Sequence, residues 1–234
     1  GAVTWRGGRL HGGRVTGSFA LAGTCYAVSG ASFEGGIVKS GSANSYLEAD
    51  NGTMHFKSSV GAITHVCVIN ASGKAIFYGE NLLAESITLA IGKTWGSSHR
   101  AGTYDLNGYS QRAKTLSLVD SGNMVANTTI ITSESPATLT LLNQSADINY
   151  NGQIKGAASL DMSSSSGKTI TLSGTANNTT GSLTVRTGTL ALGASAKFLN
   201  LSSLVVTNTG TLSVSTESVN PNVELNIFGS GFVN

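Results

Sequence analysis

Thr169-Ile170-Thr171-Leu172, Thr189-Leu190-Ala191-Leu192 and Thr211-Leu212-Ser213-Val214 repeat one pattern: a small polar residue, an apolar residue, a small residue, an apolar residue. Three further copies stand upstream, at Ser86-Ile87-Thr88-Leu89, Thr115-Leu116-Ser117-Leu118 and Thr138-Leu139-Thr140-Leu141. Period-two alternation puts Leu190 and Leu192 on one face of a strand and Thr189 and Ala191 on the other, so each copy reads as a half-buried β-strand. The first apolar residues of the six copies stand at 87, 116, 139, 170, 190 and 212, in steps of 29, 23, 31, 20 and 22. The shorter steps suit one coil of a β-solenoid, and the longer ones a coil with an inserted loop.

Working outward, Gly, Asn and Ser collect between the apolar runs, as in Asn151-Gly152, Asn177 to Gly181 and Asn208 to Gly210. These residues tolerate the positive φ that tight corners require. No stretch carries the capped 3.6-residue stripe of a helix, so the expected class is all-β with almost no helix. Stacked about 4.8 Å apart, the coils would align Leu and Ile into inward columns. Ser86, Thr115, Thr138, Thr169, Thr189 and Thr211 would form an outward hydroxyl ladder. The expected fold is a parallel β-helix with three short strands per coil and an aliphatic core without Trp or Phe. An antiparallel sandwich is the rival, but recurrence of a whole motif at 20 to 23 residues favours the solenoid.

Composition agrees with a folded chain of this kind. Of 234 residues, 30 are Gly, 32 Ser, 26 Thr and 18 Asn, while 40% are apolar and only 11% charged. Disorder pairs low hydrophobicity with strong net charge, and here the formal charge is +2. That balance also argues against nucleic acid as a partner, and Arg6, Arg9, His11 and Arg14 read as a solvated edge. No apolar run approaches a membrane span, so membrane contact would come only through a segment outside this chain. Cys25 and Cys67 stand 42 residues apart; two regular coils would hold them too far apart for a disulfide, whereas one inserted loop would make their coils adjacent.

The stretch Gly167-Lys-Thr-Ile-Thr-Leu-Ser-Gly174, then Asn177-Asn-Thr-Thr-Gly181-Ser-Leu-Thr-Val185, then Thr187-Gly-Thr-Leu-Ala-Leu-Gly193 resembles the passenger-associated, or autotransporter-associated, β-strand repeat. Tyr104-Asp-Leu-Asn-Gly-Tyr-Ser-Gln111 is similar to an element upstream of such repeats. The resemblance covers residues 103–215 and departs from the pattern at Asn178, where an aromatic is usual, and in the polar run Ser163 to Ser166. It implies a right-handed parallel β-helix in the secreted passenger of an autotransporter-like protein, extracellular or on a bacterial cell surface. It divides the chain into divergent, aromatic-richer coils at 1–102 and passenger-type repeats at 103–234, continuous with each other. It brings no catalytic residues, cofactor or metal.

β-helices also include polysaccharide lyases and hydrolases, so an enzyme is the alternative reading. Glycoside hydrolysis needs two carboxylates about 5 to 10 Å apart. Glu48 and Asp50, which share a strand face, and Glu34 are the candidates, with solvated surface as the more ordinary reading. His11, His55, His65 and His99 lack metal-ligand spacing, no G-x-S-x-G occurs, and Gly12 to Gly17 reads as a turn. Binding is the other class: residues 1–110 hold both Trp and five of six Tyr. Trp5, Trp95, Tyr104 and Tyr109 are the candidate ligand-binding residues, for glycans or surface proteins, although burial is the commoner fate of each. An open solenoid end invites end-to-end self-association, so a self-stacking filament or surface-layer subunit is a second alternative.

Overall fold

A computed structural model describes residues 3–27, 30–39, 44–69, 72–91, 101–118, 128–164, 167–215 and 218–234. Among them there is no helix, and every strand pairing is parallel. The strands build a β-solenoid, a parallel β-helix, in which the chain crosses one face after another and each strand lies on its counterpart from the coil before. Val3–Trp5, Phe19–Leu21 and Ile37–Lys39 form a first sheet, prolonged by single bridges from Ile37 to Val60 to Leu83. Gly8–Leu10, Thr24–Ala27, Tyr46–Asp50, His65–Ile69, Thr88–Ile91 and Thr115–Leu118 form a second. The third sheet starts at Arg14–Val15 and runs through Ala31–Phe33, Thr53–Phe56, Lys74–Phe77 and Gly102–Asp105 to the far end. Long strands such as Thr129–Leu141 turn a corner at a register shift between Ser133 and Ala137 and pair again beyond it, so this sheet comes to wrap more than one face.

Alternation holds where the repeats are regular. Ile170, Leu190 and Leu212 stack in register and are buried, while Thr169, Thr189 and Thr211 stack beside them on the outside. A second buried column runs Leu139, Leu160, Leu183, Leu204. Corners use the expected chemistry: Asn208 sits at φ 53°, and Gly156 at φ 64° lies where a Cβ would come 2.1 Å from the Ser133 carbonyl oxygen of the coil beneath.

Three expectations are corrected. The core is not free of Phe: Phe33, Phe56 and Phe77 stack inside the third sheet at 5.7 and 5.4 Å between centroids, Phe19 joins at 5.9 Å, and Phe198 is buried further on. Aromatic rings obey the same alternation as Leu and stack at coil spacing, so they fill a solenoid as well as aliphatics do. The six hydroxyl motifs do not make one ladder. Thr138 aligns with Ser159, Ser182 and Ser203, and Thr115 aligns with Thr88 on the second sheet. The 23 residues from Leu116 to Leu139 resemble one coil but carry the chain on to a different face, where Leu139 pairs with Gln111. Thr115 is also buried rather than outward, its hydroxyl 2.7 Å from Gln144 Oε1.

The two cysteines are free. Cys25 lies on the strand that pairs with one side of Tyr46–Asp50, and Cys67 on the strand that pairs with the other, so a whole coil separates them. Gly102–Asp105 pairs with Lys74–Phe77 on one side and Thr129–Leu141 on the other, so the ladder runs unbroken past residues 102 and 103.

Candidate functional site

Strands of the third sheet end in Phe33, Phe56 and Phe77, which register with one another and point inward. The next residue in each coil therefore points out, and Glu34, Lys57 and Tyr78 form a column on the solvent side. Arg14, in the coil before and in register with Ser32, two residues ahead of Glu34, reaches the column with its side chain. Its guanidinium bonds Glu34, the Glu34 carboxylate takes Lys57 Nζ at 3.1 Å, and Lys57 Nζ stands 5.8 Å from the Tyr78 ring centroid. The Tyr78 hydroxyl is hydrogen-bonded to His55 Nδ1 at 3.0 Å. The side chain of Arg14 is 67% exposed and that of Lys57 46%.

The electrostatics follow from these contacts. The hydrogen bond from Arg14, helped by Lys57, holds the Glu34 carboxyl below its ordinary range. Partial burial, with Lys57 and Lys74 nearby, holds the His55 imidazole below its ordinary value and so neutral. Two cations share one carboxylate, and the neighbouring Lys74 to Asp105 pair, at 2.7 Å, is balanced. The patch therefore presents a held aromatic ring, a hydrogen-bonding carboxylate and a surplus positive charge.

The residues singled out from sequence fall elsewhere. Tyr104 is fully buried, and its hydroxyl places its one proton between the carbonyl oxygens of Ala90, at 2.6 Å, and Val66, at 2.8 Å. It braces coils from inside, out of reach of the surface. Trp5 is half-buried at the first coil, where it lines an apolar cavity of about 190 Å³ with Phe19, Cys25 and Phe33. Burial pushes the Cys25 thiol up to about 12. Tyr109 is 38% exposed. Trp95 and His99 lie outside the described residues.

The three carboxylate candidates do not meet at one solvent-open site. Glu34 stands at the third sheet, whereas Glu48 and Asp50 share the outer face of a second-sheet strand, as alternation requires. Glu48 is fully buried, in register with Cys67, and Tyr46 stacks on His65 at 4.9 Å beside them. Burial and the Glu48 charge hold the Cys67 thiol well above its ordinary value, so it is protonated and not nucleophilic. Among the described residues, no group of three or more His, Cys, Asp or Glu is placed to hold a metal ion, and no helix is long and apolar enough to cross a membrane.

The spacing of Glu34, Lys57 and Tyr78, 23 and 21 residues, is the coil period itself, and it is the signal that would have found this column. No family model matches the chain, and neither a curated protein nor a solved structure is significantly similar to it.

Proposed function

We propose that the chain is a structural, adhesin-type segment of a secreted or cell-surface passenger of the autotransporter-like kind: a stiff rod that carries a recognition patch. The observation behind this reading is the column Glu34, Lys57, Tyr78, contributed one residue per coil by strands paired on both sides, with Arg14 reaching in from the edge strand Arg14–Val15. A rigid scaffold with an exposed aromatic and fixed polar groups is a common recognition surface. The passenger-type repeats at 103–215 support extracellular placement, with glycans or surface proteins as partners. The polysaccharide-acting alternative needs two solvent-open carboxylates on one groove; Glu48 and Asp50 share a strand face, but the full burial of Glu48 speaks against that pair.

The test is attachment. Beads coated with the chain should adhere to cells or to a glycan-bearing surface, and the double variant Tyr78→Ala, Lys57→Gln should lose that adhesion with an unchanged urea midpoint. Sustained product release from a polysaccharide panel, abolished by Glu34→Gln or by Glu48→Gln with Asp50→Asn, would replace this reading with the enzyme.

A further inference from the structure

Resting on that reading, we infer that the ligand of this face is an acidic oligosaccharide, lying along the solenoid axis over Arg14, Glu34, Lys57 and Tyr78. The length of the site comes from register. The four residues belong to four successive coils, so at about 4.8 Å per coil the column is about 14 Å long, the reach of a short oligosaccharide. A sugar ring has an apolar C–H face and a rim of hydroxyls. Tyr78, 41% exposed and tethered through its hydroxyl to His55, supplies a surface for the C–H face. Glu34 supplies acceptor oxygens beside it, and His55 a second ring nitrogen for a hydroxyl.

The charge selects the class. Arg14 and Lys57 face a single carboxylate, Glu34, and the adjacent Lys74 is already paired with Asp105. One positive charge is left for the ligand, and the planar guanidinium of Arg14 can take a carboxylate through two parallel hydrogen bonds. An acidic peptide fits this face less well. Peptides bind a sheet by extending a free edge or by seating side chains in a groove; here Ala31–Phe33, Thr53–Phe56 and Lys74–Phe77 are paired on both sides, and the edge strand Arg14–Val15 offers two residues for extension.

The experiment uses the full chain and three probes: trigalacturonate, its methyl ester, which keeps the shape and loses the charge, and a short oligothymidylate. Calorimetric titration should show binding of trigalacturonate, weakened about tenfold or more by Tyr78→Ala and by Lys57→Gln, with unchanged urea midpoints. Thr211→Ala, at the far end of the solenoid, should leave it intact, and added salt should weaken it. Equal affinity for the ester, binding of the oligothymidylate alone, or indifference to Tyr78→Ala would each overturn the inference. If trigalacturonate fails while coated beads still adhere through Tyr78 and Lys57, the adhesin reading stands and only this ligand class falls; if both fail, both fall.

Discussion

Phe33, Phe56 and Phe77 fill the interior of the third sheet near its start, whereas Leu139, Leu160, Leu183 and Leu204 fill an interior column of the same sheet farther along. Their outer faces differ as well. The early coils set Arg14, Glu34, Lys57 and Tyr78 side by side, and the later ones set Ser beside Ser and Thr beside Thr. What the halves share is that each residue meets a compatible neighbour one coil away. At strand spacing, rings can lie near-parallel, as the 16° and 19° interplanar angles here show, and branched aliphatics can interlock. The fold thus depends on matching along columns more than on any one residue type, which frees the outer face to carry different chemistry in different coils.

The largest expected effect tests whether the aromatic column is as much a core as the aliphatic one. Phe56→Ala removes the middle ring and leaves Phe33 and Phe77 facing a cavity, at a cost of about 3 to 5 kcal/mol. Leu190→Ala in the later coils should cost about 2 to 5 kcal/mol, and Thr189→Ala on the outside well under 1 kcal/mol. Urea unfolding of the three variants decides the matter. A Phe56→Ala cost near that of Thr189→Ala would mean that the early coils are not held from within.

Close backbone stacking is the next contrast. A Cβ on Gly174 would lie 1.7 Å from the Gly152 carbonyl oxygen, backbone against backbone, whereas one on Gly17 would meet nothing within 4 Å. Neither glycine has a positive φ, so the difference is steric. Gly174→Ala should lose about 3 kcal/mol, because the coils must part to admit the methyl group. Gly17→Ala should stay within about 0.5 kcal/mol. Comparable midpoints would show that the later coils yield as easily as the first.

This contrast also marks how far the sequence could be read. Alternation places Leu190 inward and Thr189 outward because it is a local property, and the Asn and Gly corners are local for the same reason. Which strand lies on which is not local. The step from Leu116 to Leu139 matches a coil length yet ends on another face, since the length of each corner is set by packing. Tyr104 illustrates the second limit: its hydroxyl is satisfied by Val66 and Ala90, partners 38 and 14 residues away, and nothing near it in the chain announces burial. The outward column Glu34, Lys57, Tyr78 recurs at the coil period, but its residue types differ from coil to coil, so the repeat of like residues does not reveal it.

The smallest expected effect concerns two of the four histidines, His55 and His65, both in the early coils. Burial holds His65 below its ordinary value, and burial with Lys57 and Lys74 does the same for His55. The unfolded chain therefore takes up protons at higher pH than the fold does. Stability is fully present above the unfolded histidine value of about 6.5 and declines as pH falls through it. Melting curves should coincide at pH 7.5 and 8 and shift down by a few degrees or less at pH 5.5. Glu34 does not confound this window, because Arg14 and Lys57 hold it ionised there. His65→Gln should flatten most of the slope, since His65 is the more buried of the two and its ring is stacked on Tyr46, and His55→Gln should flatten less. A melting temperature that rose on acidification, or a slope untouched by both substitutions, would place the pH response outside the early coils and remove one of the differences between the halves.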